Sequence, residues 1–191
     1  MNKEYLVNHH QFLAKNPRPE FNWAEYEKVR DMMGMMEKML GAGTPAPAGI
    51  TEKVHEITMR DGYMSAIKIF NPSSGPPGPL IVLAFGGGFV VGSKDQFVSM
   101  ARPLVSLLGA TVVSIDYRLA PEHKFPAAQY DAWDSMKWIA QNAKGDDLHS
   151  DPTKGFIMGG VSAGGALTAS LSRKFQEETL AHSLTGQWLC K

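Results

Sequence analysis

The sequence reads as an α/β protein whose mostly parallel central sheet is flanked by helices. Two observations lead there: continuous apolar runs at Leu80 to Ala84, Thr111 to Ile115 and Gly155 to Met158, and helix-length amphipathic stretches between them. Apolar runs this short suit strands buried on both faces, and strands joined through helices pair in parallel.

The elements follow in chain order. Residues 1–48 read as an N-terminal helical segment broken at Asn16-Pro17-Arg18-Pro19, where neither proline donates a helix hydrogen bond. A second helix restarts with Asn22 as its cap, Glu25 at the third position and Phe21 stapled onto Tyr26, and it ends at Gly41-Ala42-Gly43-Thr44-Pro45. Within it, Met32, Met36 and Met39 share a stripe, read first as core packing and second as an adaptable lid over an apolar pocket. From Thr51 the period becomes two: Val54, Ile57 and Met59 precede the turn residues Arg60-Asp61-Gly62, and Met64 to Phe70 completes an antiparallel hairpin. Asn71 to Pro79 is a Pro/Gly/Ser loop before the first buried strand. Phe97 to Leu108 and Ala127 to Ala143 fit crossover helices, the latter with Tyr130, Trp133, Met136 and Ala140 on one stripe. Residues 49–191 thus form one core.

Bulk properties narrow the function. Nineteen Lys and Arg balance nineteen Asp and Glu, so no positive field gathers nucleic acid or anionic lipid. No apolar run approaches the roughly 18 residues of a membrane span. The start is polar and the lone cysteine, Cys190, admits no intrachain disulfide, which together read as cytoplasmic.

Two glycine-rich segments carry chemistry. Gly160-Val161-Ser162-Ala163-Gly164 follows an apolar strand and precedes a small-residue helix beginning at Gly165, the setting of a nucleophile elbow. A serine on such a bend brings the residues two positions either side together, so both must lack side chains. Phe85-Gly86-Gly87-Gly88-Phe89 follows the earlier strand, and a glycine run there leaves backbone N–H groups free to face an anion. Stabilising a tetrahedral oxyanion in this way is worth roughly 3–4 kcal/mol per donor. Phosphate cradles fit worse, because Gly165 and Ala166 stand where a P-loop needs Lys and Ser/Thr, and Gly86-x-Gly88 lacks the third glycine of a dinucleotide fingerprint.

With Asp116-Tyr117-Arg118-Leu119-Ala120-Pro121-Glu122-His123 between them, these segments resemble the hormone-sensitive-lipase-like carboxylesterases of the α/β-hydrolase fold. The resemblance covers nearly the whole chain, with Leu184-Thr185-Gly186-Gln187 similar to the entry of the next core strand. It implies Ser162 as nucleophile, an oxyanion hole on the glycine loop Gly86, Gly87 and Gly88 together with Ala163, a small acyl-ester substrate, and no metal or cofactor. It also implies that residues 1–48 belong to a helical cap. Phe85 replaces the family's loop histidine, which implies a weakened hole with its backbone donors in place.

The family's triad acid and histidine lie beyond Lys191, so the chain reads as C-terminally truncated, with weak or no activity of its own. None of the six histidines at 9, 10, 55, 123, 149 and 182 suggests a working base by its spacing, and Asp116, Glu122 and Asp131 read as packing or capping acids. Two further readings stay open: a non-catalytic ligand-binding or regulatory protein, and a triad completed by another polypeptide. A sheet ending near Leu184 also leaves an edge that invites self-association.

Overall fold

A computed structural model describes Lys15, residues 23–178 and residues 180–191. The expected break at Asn16 to Pro19, the Asn22 cap, the Phe21 staple, His9 and His10 lie outside the described residues. Six strands form one sheet: β1 (Ile50–Thr58), β2 (Met64–Pro72), β3 (Leu80–Ala84), β4 (Thr111–Ile115), β5 (Phe156–Val161) and β6 (Gly186–Cys190). Their spatial order is β1-β2-β4-β3-β5-β6. The helices are α1 (Tyr26–Glu37), α2 (Val98–Leu108), α3 (Ala127–Asn142) and α4 (Ala163–Glu177). No described helix is long and apolar enough to cross a membrane.

The hairpin forms as its alternation requires. β1 and β2 pair antiparallel from Ile50 with Pro72 to Thr58 with Met64, and the Met59 amide donates to the Tyr63 carbonyl across the turn. β2 joins the parallel strands through antiparallel pairing with β4, while β3 pairs in parallel with β4 on one side and β5 on the other. β3 and β4 are buried at every residue, as continuous apolar runs in a two-faced sheet should be. Trp133, Met136, Ile139 and Ala140 of α3 close one part of that core, and Ala101 and Val105 of α2 another.

This order places a topological switch beside β3. The chain leaves β3 toward β4 on one side and leaves β5 toward β6 on the other. Loops that depart in opposite directions from the carboxyl ends of neighbouring strands open a crevice there, the usual ligand site of an open α/β sheet. The loop after β3 is the glycine run, and the turn after β5 holds Ser162.

Several sequence expectations need correction. The methionine stripe is not core: Met32, Met35, Met36 and Met39 are all exposed. The face of α1 that docks is Tyr26, Val29, Arg30, Met33, Gly34 and Glu37, a second stripe at the same helical period carrying the polar anchors. Arg30 bonds both carboxylate oxygens of Glu122 at 2.7 and 2.9 Å, and Glu37 accepts the Ser93 hydroxyl at 2.7 Å. Val54 is exposed while Ile57 and Met59 are buried. Tyr130 leaves the α3 core stripe for solvent, where the Arg60 guanidinium lies 4.3 Å from its ring centre. β5 continues through Gly159 to Val161, and α4 starts at Ala163 instead of Gly165, because the chain reverses within a single residue. The strand near Leu184 does form, but every residue of β6 is exposed.

Candidate active site

Ser162 occupies the whole turn between β5 and α4. Its φ of 52° and ψ of −114° lie outside the regions an L-residue prefers, a strain that persists only when the surroundings impose it. Three contacts impose it here. The Ser162 amide donates to the Cys190 carbonyl of β6 at 2.8 Å, its carbonyl accepts from the Ala166 amide at 3.0 Å, and its flanking glycines are packed against backbone. A Cβ on Gly160 would overlap the Gly164 carbonyl, and one on Gly164 would overlap the Ala84 and Phe85 carbonyl oxygens. The glycine requirement read from the sequence is therefore steric, and at Gly164 it is imposed by the end of β3.

The Ser162 side chain is exposed and makes no capping hydrogen bond to its own helix. The hydroxyl is left to face outward at the positive end of α4. Across the crevice, a Cβ on Gly86 would sit 3.4 Å from Ser162 Cβ and 2.8 Å from the Val161 carbonyl, so loop and turn are in direct apposition.

The glycine loop folds back on itself. Gly87 has φ 132°, Gly88 has φ 62°, and the Gly87 carbonyl accepts from the Val90 and Val91 amides at 3.0 Å each. A Cβ on Gly87 would overlap the Val91 carbonyl, so here the glycine is obligatory. The four expected donors separate into two groups. The Gly86 amide is not available, because it donates to Gln96 Oε1 at 2.8 Å. The amides of Gly87, Gly88 and Ala163 donate to no acceptor among the described residues. Sequence reasoning missed Gln96, which carries no local signal, and Gly92, which carries one as a further glycine four residues past Gly88. Gly92 has φ 101°, and a Cβ there would overlap the Gly86 carbonyl.

Phe85, standing where the loop histidine was expected, is fully buried and stacks on Tyr117 with ring centres 4.0 Å apart and planes 4° from parallel. The Tyr117 hydroxyl donates to the Phe85 carbonyl at 2.7 Å, and burial raises the phenol's pKa well above its ordinary value. That hydroxyl is therefore a fixed donor at any physiological pH.

The remaining acids and histidines are engaged elsewhere. Asp131 is fully buried and takes Arg118 bidentately at 2.7 and 2.8 Å. Asp116 sits 3.3 Å from Lys94, its pKa raised by burial against the pull of that lysine. Hydrogen bonding to Arg30 holds Glu122 down to about 2. His55 lies against Trp138 with the two rings tilted 36° and pairs with Asp147 at 3.3 Å, His123 lies beside Tyr63, and His149 Nε2 lies 3.4 Å from the Gly75 carbonyl. No described histidine, His182 included, is hydrogen-bonded to Ser162. No group of three or more His, Cys, Asp or Glu among the described residues has the spacing to hold a metal ion.

Residues 81–191 match the model of a family described as having the alpha/beta hydrolase fold. The chain belongs to this family, in its hormone-sensitive-lipase-like branch. An AB hydrolase superfamily protein of Schizosaccharomyces pombe is 34% identical over 181 residues, which cover 93% of this chain and 53% of that protein. An arylesterase of Saccharolobus solfataricus is 31% identical over 169 residues, 88% of this chain and 52% of the relative. Among solved structures, the hyperthermophilic esterase of the archaeon Pyrobaculum calidifontis superposes with a TM-score of 0.72 at 36% identity, covering 85% of this chain and 51% of the esterase. The chain thus spans about half the length of the relatives it matches.

Proposed function

We propose that this chain supplies the nucleophile and oxyanion site of a carboxylic ester hydrolase acting on small acyl esters. The observation that carries the proposal is the apposition of a strained, uncapped Ser162 with Gly86, at the head of a loop whose Gly87 and Gly88 amides, like that of Ala163, donate to no acceptor among the described residues. In this reading Ser162 Oγ attacks the ester carbonyl, and the carbonyl oxygen gains negative charge as it moves onto those amides. The adduct collapses to an acyl-serine as its bond to the leaving oxygen breaks and the serine proton departs with the alcohol, and water then releases the acid in a second attack through the same tetrahedral geometry, returning a proton to Ser162. The segment before residue 49, whose described part includes α1 with its exposed methionines, serves as a cap over the acyl group. The ester chemistry named for the arylesterase and the archaeal esterase supports this assignment.

Serine is a poor nucleophile until a base takes its proton, and no described histidine is in position to do so. The chain alone is therefore expected to keep only what binding and the oxyanion site contribute, around 10³–10⁴ over water. Hydrolysis of a short p-nitrophenyl ester should be slower in Ser162→Ala than in wild type, because the variant keeps the amides but loses the attacking oxygen, and equal rates for the two proteins would remove the catalytic claim. The same lack of a base favours a second reading, an acyl-ligand-binding protein without turnover. Ester binding with neither Ser162-dependent hydrolysis nor labelling of Ser162 by a fluorophosphonate would select it.

A further inference from the structure

The glycine loop hangs from a single peptide unit that is held at both ends. The Phe85 carbonyl and the Gly86 N–H belong to one plane. Its oxygen accepts from the Tyr117 hydroxyl at 2.7 Å, and its N–H donates to Gln96 Oε1 at 2.8 Å. Gln96 Nε2 also lies 3.4 Å from the Gly86 carbonyl, which belongs to the next plane along. A primary amide suits this task because it offers an acceptor and a donor in one rigid group.

The loop needs such a brace. Phe85 has no polar side-chain atom, and glycines place almost no torsional restraint of their own on where their amides point. With the Phe85–Gly86 plane fixed, the directions of the Gly87 and Gly88 amides follow from the turn that the Gly87 carbonyl closes with Val90 and Val91. With the plane free to rotate, both donors swing away from Ser162. Gln96 is itself well anchored. Its amide donates to the Ser93 carbonyl at 3.1 Å, and its neighbour Asp95 holds the buried Lys68 at 2.8 Å, in an ion cluster with Glu52 and Arg102.

We propose that Gln96 is a positioning residue of the oxyanion site, fixing the Gly86 peptide plane so that the next two amides face Ser162. The inference deepens the reading of Ser162 as nucleophile and rests on it. By occupying the Gly86 N–H, Gln96 also determines which loop amides remain for substrate.

Gln96→Met removes both hydrogen bonds at nearly constant volume, and Gln96→Glu keeps the acceptor for the Gly86 N–H. Hydrogen exchange followed by NMR on the intact chain should show the Gly86 amide of Gln96→Met exchanging at least about tenfold faster, with protection restored in Gln96→Glu and the thermal midpoint little changed. For p-nitrophenyl acetate, kcat of Gln96→Met should fall about 10- to 100-fold while KM stays within about twofold, because misplaced donors are missed chiefly in the transition state. Unchanged Gly86 protection in Gln96→Met overturns the inference, and so does lost protection with undiminished Ser162-dependent kcat. If Ser162→Ala turns over as fast as wild type, the nucleophile reading fails separately, and the exchange rates still decide whether Gln96 holds the loop.

Discussion

β4 and β6 are strands of equal length in the same sheet, yet β4 is buried at every residue and β6 is exposed at every residue. α3 and α1 differ similarly: α3 buries its apolar stripe, whereas α1 docks through Arg30 and Glu37 and turns its methionines outward. The candidate chemistry sits where these regions meet. Ser162 and the glycine loop project from the rigid interior strands β5 and β3, but each also leans on an exposed element. The Ser162 amide is held by the β6 carbonyl of Cys190, and the Val90 carbonyl, just past the glycine loop, is held by Arg30 of α1 at 2.8 Å. The contrast teaches that the steric closure around the turn comes from the interior strands, while the final placement of the site also depends on elements with exposed apolar faces.

The largest expected effect tests the closed side. Gly164→Ala ought to stabilise a helix by about 1 kcal/mol through propensity alone. Its new methyl, however, would overlap two carbonyl oxygens at the end of β3, atoms that cannot move without disturbing the β3 and β5 pairing. Steric overlap with backbone outweighs propensity, and a net loss of about 3 kcal/mol or more is expected, read as a fall in the urea midpoint. A neutral or stabilised variant would show that the turn has slack and that Ser162 is not held by the core.

A smaller effect is expected at the open side. Among the described residues β6 pairs only with β5, so its outer edge carries N–H and C=O groups with no strand partner there, beside exposed Trp188 and Leu189. A concavity of about 550 Å³ lined by Phe175, Leu180 and Leu184 adjoins it. Such an edge favours self-association, and an edge lysine opposes it. Leu189→Lys should therefore shift the chain toward monomer in sedimentation velocity while altering stability by no more than about 0.5 kcal/mol. Association that is equally strong in both proteins would place the contact elsewhere.

The two sides also differ in how much of them the sequence discloses. β3 and β4 were legible to the residue because short runs dominated by apolar residues, all five positions in β3 and three of five in β4, have one stable home, the middle of a two-faced sheet. The glycine loop and Ser162 were legible because each is a steric exception with a fixed spacing. α1 was misread on the same logic: its methionine stripe has the right period, but periodicity does not say which of two stripes will find a partner, and the polar one did. Gln96 was invisible for a different reason. Its role depends on a side chain meeting a backbone amide ten residues away, a meeting that no pattern of hydrophobicity encodes.

The smallest expected effect concerns the polar docking of α1. Glu37 is nearly buried, and one carboxylate oxygen accepts from Ser93 while the other has no partner among the described residues. Burial raises its pKa, the Ser93 hydrogen bond pulls it back, and Asp95 and Asp116 push it up further. A carboxyl with a raised folded-state pKa binds its proton more tightly folded than unfolded, so the charged form works against folding once the pH passes above the folded value. The penalty disappears as the pH falls below the ordinary carboxyl range near ~4.3. Glu37→Gln keeps an acceptor for Ser93 and removes the charge. The variant should be more stable than wild type at pH 7 by less than about 1 kcal/mol, with the gap closing toward pH 4. If the variant is instead less stable at pH 7 and that deficit shrinks on acidification, the Glu37 charge itself holds α1 to the loop after Gly92. The open side would then rest on electrostatics as firmly as the closed side rests on packing.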